Sequence, residues 1–209
     1  MPTGVAIRDV SRQLFDAAER VLLQYGPNAL TSRAVTAEAG CAKGVLHRHF
    51  ADFDAFLAEL VLDRIGRIRV QAAALSASAG TGTVVDNLTA ALTDLFKSVA
   101  VAIVGLVTAR DELRARLHRA GSTGVPVLAE ATAMIASYLR AEHERGRLVA
   151  DADADADLDV DTLALTLIGS GHLLFAGRGG VAPEVADVRK VVRSVVGPAL
   201  ADAGAGTVQ

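Results

Sequence analysis

The chain contains no proline between Asn28 and Val125, and this long stretch is rich in alanine, leucine and arginine. These residues favour helices, whereas a proline inside a helix removes a backbone hydrogen bond and clashes with the preceding turn. No run shows sustained alternation of apolar and polar residues bounded by turn residues, which is the pattern of a half-buried strand. The sequence therefore predicts an all-α protein.

About nine helices are expected from the apolar spacing, the capping residues and the helix breakers. Thr31 is the expected N-cap of a short second helix that ends at Gly40. Asp52 and Asp111 are the expected N-caps of the fourth helix and of a short charged helix, and one or two apolar helices are expected within residues 84–107. The other helices are expected at residues 9–25, 42–50, 53–79, 111–119, 126–145, 162–176 and 183–200, with loops at 80–83 and 120–124 and a solvated linker at 150–161.

Each of the first four helices is expected to bury one apolar face. The expected inward residues are Val10, Leu14, Ala18, Val21, Leu22 and Tyr25 in the first helix, Ala34, Val35 and Ala39 in the second, Leu46 and Phe50 in the third, and Phe56, Leu60, Ile65 and Ile68 in the fourth.

Composition narrows the class of protein. Hydrophobic residues make up 51% of the chain and charged residues 22%, which predicts a folded globular protein. The uncharged run Val99–Val107 has nine residues, far fewer than the ~20 that a membrane-spanning helix needs. The first residues lack a secretion signal, and the single cysteine, Cys41, cannot form an intrachain disulfide. We therefore expect a cytoplasmic protein without a membrane segment, whose apolar surplus occupies an oligomer interface or an internal cavity.

The net charge and the sequence motifs limit the classes of function that the chain can have. A net charge of −3 argues against a global positive field for polyanions, although a local nucleic-acid site is compatible with it. No paired carboxylates, nucleophile–base pair or metal-ligand spacing supports an enzyme. The aspartate run that starts at Asp151 lacks the glycine and glutamate of a calcium loop, and residues 80–83 are not followed by the Gly-Lys of a phosphate-binding loop. We expect no catalytic site, no metal and no cofactor.

The N-terminal helices are arranged as a helix-turn-helix. A short helix, a turn with a glycine and a second short helix follow a longer helix. The last of these helices can enter a DNA major groove, which is about 12 Å wide, and present its outer face to the base edges. The expected outward residues are Lys43, Gly44, Val45, His47 and Arg48. Lysine can neutralise a phosphate, arginine can bind guanine edges, and valine can pack on a thymine methyl group.

Residues 30–56 contain the ordered series Leu30-Thr31-Ser32-x-x-Val35-x-x-x-Ala39-Gly40-Cys41-Ala42-Lys43-Gly44-x-Leu46-His47-x-His49-Phe50, followed by Asp52-Phe53-Asp54-Ala55-Phe56. This series resembles the DNA-binding signature of the TetR family of bacterial repressors. The resemblance covers about residues 8–60, and beyond them it rests on helix number and length. It implies a homodimer whose recognition helices lie about one DNA turn (~34–36 Å) or slightly more apart on a palindromic operator.

The resemblance also implies a C-terminal ligand pocket and a four-helix dimer interface that the last two helices build with those of the partner. An effector would bind one conformation of the protein more tightly than the other. The fourth helix would transmit this conformational change to the DNA-binding domains and alter the distance between them.

Three positions depart from the family pattern. Alanine replaces the usual capping serine at Ala42, which is expected to cost on the order of 1 kcal/mol of local stability. His47 replaces a phosphate-binding tyrosine and can still donate one hydrogen bond. Phe53 replaces a lysine, so one phosphate contact is lost or moved elsewhere. We also expect His49 to pack or to orient the backbone rather than to read a base, and Cys41 to be a buried core thiol.

These observations lead to a concrete hypothesis. Residues 1–52 are expected to form the DNA-binding domain and residues 53–209 a ligand-binding and dimerisation domain, with the helix at 53–79 linking them. The expected DNA-binding residues are Thr31, Ser32, Arg33, Ala42, Lys43, Gly44, Val45, His47, Arg48 and His49. The expected effector-binding residues are Phe96, Arg110, Leu113, Met134, Tyr138 and Phe175, at positions where methionine and aromatic side chains suit an adaptable apolar pocket.

The function predicted from the sequence is a dimeric transcriptional regulator that binds an operator in double-stranded DNA. Most simply, it is a repressor released by a small, largely apolar effector. An alternative is a helical ligand-binding or structural dimer that has kept the fold and lost DNA binding, which Ala42 and Phe53 would favour.

Overall fold

The computed structural model describes residues 4–97, 100–122, 124–149, 158–177 and 181–201. Within these ranges the chain forms ten α-helices and two 3₁₀ turns, at Pro27–Ala29 and Gly197–Ala199, so the prediction of an all-α protein is confirmed. The helices are α1 (Gly4–Tyr25), α2 (Ser32–Glu38), α3 (Val45–His49), α4 (Phe53–Ala77), α5 (Val84–Lys97), α6 (Ala100–Ala109), α7 (Asp111–Arg119), α8 (Pro126–Glu144), α9 (Val160–Ala176) and α10 (Val185–Val196).

Three expected helix ends are corrected by the backbone. Helix α3 begins at Val45 rather than at Ala42, because the Val45 N–H closes a turn onto the Ala42 carbonyl at 2.9 Å and Gly44 is the N-cap. The N-cap of α7 is Arg110 in an extended conformation, so Asp111 is the first helical residue and not the cap. The last helix, expected at 183–200, covers only Val185–Val196.

The start of α9 shortens the expected linker. Asp159 caps this helix, since its carboxylate accepts the Thr162 backbone N–H at 2.9 Å. Residues 160 and 161 are therefore helical, while residues 150–157 of the expected linker, including the aspartate run from Asp151, lie outside the described residues. The apolar segment 84–107 forms two helices, α5 and α6, on either side of residues 98 and 99, which also lie outside the described part.

The chain divides into two compact units. The first contains the described residues of 1–66 and 98–129, and the second contains those of 67–97 and 130–209. Among the described residues, no single helix is long and apolar enough to cross a membrane; α5 and α6 would have to be combined across the break between them.

Four of the six phenylalanines of the chain form an aromatic cluster in the first unit. The ring of Phe56 lies 5.5 Å from that of Phe15, 5.0 Å from that of Phe50 and 5.7 Å from that of Phe53, measured between centroids. Aromatic pairs at these distances add stability beyond the area that they bury. The cluster joins α1, the end of α3 and the first turn of α4.

The expected apolar faces of the first four helices are buried with three exceptions. Val10 and Ala34 are half-buried, and Tyr25 is 62% exposed and does not belong to the inward stripe. The Pro27–Ala29 turn follows directly and leads the chain away from α1, so Tyr25 lies at the end of the helix.

The core of the second unit is made by the packing of α5 against α9 and α10. The ring of Phe96 lies 5.6 Å from that of Phe175 and 6.1 Å from that of His172. Burial lowers the pKa of His172, because a charged imidazole would lose hydration there.

A buried polar cluster joins α8 to the loop between α4 and α5 in the second unit. The fully buried carboxylate of Glu142 accepts the Gly80 backbone N–H at 3.3 and 3.4 Å, and the Arg147 guanidinium lies 3.3 Å from it. The Asn87 amide donates to the Tyr138 hydroxyl at 3.0 Å. Because these groups are buried, each needs its partner, and the cluster holds the loop in one conformation.

Candidate nucleic-acid interface

Helix α2 is fixed in place by local hydrogen bonds and by α1. The Thr31 hydroxyl accepts the Ala34 backbone N–H at 3.1 Å, so the expected N-cap is confirmed. The amide of Gln13 on α1 donates to the Ala39 carbonyl at 2.8 Å, at the end of α2. Gly40 has a φ of 64°, the left-handed conformation that was expected of it, and starts the turn toward α3.

Helix α3 is held by its inner side and exposes its outer side. Leu46 is fully buried and Phe50 is 4% exposed, so two anchors four residues apart fix this short helix. The side chains of Lys43, Arg48 and the two histidines beside Arg48 are exposed, together with Ala42 and Gly44, while Val45 is half-buried. His49 is therefore exposed rather than packed, and Cys41 is half-buried rather than fully buried.

The exposed cationic side chains near α3 are available to bind an anion. Within the described part of the chain, no carboxylate forms an ion pair with Arg33, Lys43 or Arg48. By contrast, Arg20 is paired with Glu38 at 2.6 Å. The Ser32 hydroxyl is enclosed, and no hydrogen-bond partner for it lies among the described residues. The helix-turn-helix thus presents unpaired positive charge beside α3, although the net charge of the chain is negative.

The beginning of α4 follows α3 after only three residues. Asp52 caps α4 as expected, because its carboxylate accepts the Ala55 backbone N–H at 2.6 Å. This hydrogen bond, with a smaller effect of Arg116, lowers the pKa of Asp52. Arg116 donates to the other oxygen of Asp52 at 2.8 Å, and Arg110 lies 3.0 Å from Asp54. Two arginines of the α7 region therefore stand beside the first turn of α4.

Arg64 fixes α4 against α1, and the sequence did not indicate it. Its side chain is only 6% exposed, and its guanidinium pairs with Glu19, lies 3.8 Å from Asp16 and lies 3.3 Å from Asp63. A buried charge is tolerated only when it is paired, so these carboxylates fix the position of α4 on the helix-turn-helix.

Comparison with protein families gives a match at this part of the molecule. Residues 14–60 match the model described as bacterial regulatory proteins, tetR family. The matched residues contain α2, α3 and most of α1, as well as the first turns of α4. Residues 14–60 are therefore similar to the DNA-binding domain of the TetR family of bacterial regulatory proteins.

Solved structures of other regulators share the fold of this chain. The fatty acid degradation regulator FadR from Bacillus halodurans is 18% identical, with a TM-score of 0.64 over 89% of this chain and 97% of that one. FadR from Bacillus subtilis, solved in complex with stearoyl-CoA, is 18% identical, with a TM-score of 0.63 over 90% and 98%. A transcriptional regulator from Rhodococcus sp. Rha1 is 17% identical, with a TM-score of 0.63 over 90% and 97%.

A search of curated proteins found no match. The family and the structural relatives are transcription regulators, in agreement with the expectation of a protein that is not an enzyme.

The structure places the six expected effector residues in two groups. Phe96, Met134, Tyr138 and Phe175 are buried in the second unit, where Phe96 contacts Phe175, whereas Arg110 and Leu113 belong to the first unit. A groove of about 250 Å³ lies between α4 and α5 in the second unit, and none of the six lines it. The lining residues are Gln71, Ala74, Leu75, Ser78, Asn87, Ala90, Ala91 and Asp94. The effector positions stay predictions.

Helix α9 leaves an apolar face uncovered. Leu165 is 63% exposed and Leu173 is 73% exposed, with the exposed Gly169 between them. Residues four apart lie on one side of a helix, so these three form a continuous surface, which we call the α9 face.

Proposed function

We propose that this protein is a TetR-family transcriptional repressor that binds a palindromic operator as a homodimer and is released by a small, largely apolar effector. The observation that carries the proposal is the outer side of α3. There, Lys43 and Arg48 are exposed and have no carboxylate partner among the described residues, on a helix anchored by Leu46 and Phe50. A DNA-binding repressor acts in the cytoplasm, which is the localisation that the sequence predicts.

Each exposed group near α3 has a proposed role. Lys43 and Arg33 neutralise phosphates, Arg48 binds a guanine edge in the major groove, and His47 donates one hydrogen bond to the backbone of the DNA. Val45 packs on a thymine methyl group. The remaining proposed contacts are those of Thr31, Ser32, Ala42, Gly44 and His49, which border these groups along the same edge of the helix-turn-helix.

The α9 face supports the homodimer. Exposed leucines that lie together on one helix face mark protein interfaces, and a second copy of the chain offers an identical surface. A two-fold axis at this face would give a dimer that carries two helix-turn-helix units. The operator of such a dimer is palindromic, with half-sites about one turn (~34–36 Å) apart or slightly more.

The proposed effector is apolar because the second unit is apolar. Phe96, Met134 and Phe175 supply an adaptable hydrophobic wall, and Tyr138 supplies one polar group. The fold relative FadR from Bacillus subtilis was solved with stearoyl-CoA, which supports a ligand with a long apolar part.

The test uses fluorescence anisotropy with a labelled duplex from the region upstream of the gene. We expect the wild type to bind, and Arg48→Ala to lose about 1–3 kcal/mol of discrimination at one base-pair position. Arg145→Ala, an exposed arginine of the second unit, is the control and should bind like the wild type. Absence of binding to every fragment at low salt would contradict the proposal and favour a dimer that has lost DNA binding.

A further inference from the structure

Two arginines that are distant in sequence from the helix-turn-helix lie beside its end. Arg110 precedes α7 and Arg116 lies within it, yet their guanidinium groups pair with Asp54 and Asp52 at the beginning of α4. Only Phe50, Ala51 and Asp52 separate α3 from α4, and an extended chain spans about 3.3–3.6 Å per residue. Both arginines are therefore within about 15 Å of the end of α3.

The contacts of Arg110 leave most of its donors unused. Nε donates to Asp54 Oδ1 at 3.2 Å, and Nη2 lies 3.0 Å from the same oxygen. A guanidinium group carries five N–H donors, so other donors remain for a second acceptor. The guanidinium carbon also lies 5.6 Å from the centroid of the Phe53 ring, which holds the group over the first residue of α4. The side chain is 34% exposed, so an anion can reach it.

The carboxylates at the beginning of α4 need cations beside them if DNA is to bind there. Asp52 and Asp54 are both near the end of α3, and unpaired carboxylates there would repel the phosphate backbone. Phe53 between them brings no charge. Arg110 and Arg116 cancel the two carboxylates and place guanidinium groups at the surface, where bidentate binding to phosphate is favoured.

We propose that Arg110 and Arg116 form a second part of the DNA interface, outside the helix-turn-helix, in which Arg110 contacts a backbone phosphate beside the end of α3 and both arginines neutralise Asp52 and Asp54. This inference rests on the proposed function. Arg110 then supplies a phosphate-binding guanidinium beside Phe53, whose ring carries no charge.

The experiment measures the affinity for a duplex of about 30 base pairs as a function of salt concentration, because each phosphate contact contributes about −0.9 to the slope of log K against log salt. For Arg110→Ala we expect weaker binding to every duplex sequence and a slope reduced by about 1 for each protomer. Arg110→Lys should keep the wild-type slope. Phe53→Lys combined with Arg110→Ala should recover the slope, because the new lysine returns a charge to the same place. Arg119→Ala, an exposed α7 arginine that pairs with Glu112 at 3.1 Å, is the control and should leave the slope unchanged.

The outcomes separate this inference from the proposed function. If the wild type binds DNA and Arg110→Ala keeps the wild-type slope, the inference is overturned while the proposed function stands. Weaker binding with an unchanged slope, together with a lowered melting temperature, would show that Arg110 only stabilises the fold, and it would also overturn the inference. If the wild type binds no duplex at low salt, both fail.

Discussion

Gly171 and Phe96 approach so closely that a side chain on Gly171 would collide with the phenylalanine ring. A Cβ atom built on Gly171 would lie 2.7 Å from Phe96 Cε2. The glycine lets α9 pack directly on α5, and the ring of Phe96 then extends to Phe175. We expect Gly171→Ala to lower the free energy of unfolding by about 1–3 kcal/mol, as overpacking of a core does.

Gly66 provides the matched control for that change. It lies exposed within α4, and no atom comes within 4 Å of a Cβ built there. Because alanine favours helices more than glycine does, Gly66→Ala should raise the free energy of unfolding by about 0.5–1 kcal/mol. Urea denaturation of both variants checks the pair; equal stability of Gly171→Ala and the wild type would show that the ring moves aside without cost.

Tyr138 should resist deprotonation. Its burial, and then its hydrogen bond with Glu142, raise the pKa of the Tyr138 hydroxyl well above the ordinary tyrosine value. A raised pKa in the folded state gives stability that is present below the ordinary pKa of about 10 and is lost as the pH rises beyond it. In a Tyr25→Phe variant, Tyr138 is the one remaining tyrosine, so ultraviolet absorbance should show no tyrosinate until the protein unfolds in alkali. Tyrosinate formed near pH 10 by a folded protein would contradict the buried hydrogen bond.

Asp52 should make the stability of the first unit sensitive to acid. Its pKa is lowered in the folded state, chiefly by the Ala55 backbone N–H, so its contribution is present above the ordinary pKa of about 4 and is lost as the pH falls below it. At about pH 6 we expect Asp52→Ala to melt at a lower temperature than the wild type. At about pH 2.5 the two melting temperatures should be nearly equal. Melting curves at both pH values test this, and a difference that does not shrink in acid would contradict the capping role.

Leu173 should control self-association. Leu173→Asp places a charge on the α9 face, where a partner would have to bury it, so the dimer should dissociate. Val70→Asp, on α4 at a residue that is 71% exposed, is the control. Sedimentation velocity at micromolar concentration should find a dimer for the wild type and the control and a monomer for Leu173→Asp. A wild-type monomer would contradict the proposed dimer.

Local signals in the sequence predicted much of the first unit. The caps at Thr31 and Asp52 and the left-handed Gly40 depend on residues within three positions of each other, and all are confirmed. Leu46 and Phe50 were recognised as inward residues by their spacing. The start of α3 was placed three residues too early, because the turn from Ala42 to Val45 has the same short-range pattern as a first helical turn.

Pairings between distant residues could not be predicted in this way. Arg116 donates to Asp52, 64 residues away, and the carboxylates around Arg64 come partly from α1. From the sequence, Glu142 is expected to lie at the surface, yet it is fully buried against the Gly80 backbone. A charged residue in a helix is expected to face solvent, and only the tertiary structure shows where a partner allows it to be buried.

A hydroxyl-radical footprint of the wild type on the DNA upstream of its gene would show whether the protein binds an operator as a symmetric dimer. The proposed repressor predicts a two-fold symmetric protected region, with two half-sites about one turn of DNA apart, that Arg48→Ala weakens. No protection on any fragment at low salt, from a protein that melts cooperatively and sediments as a dimer, would contradict the account.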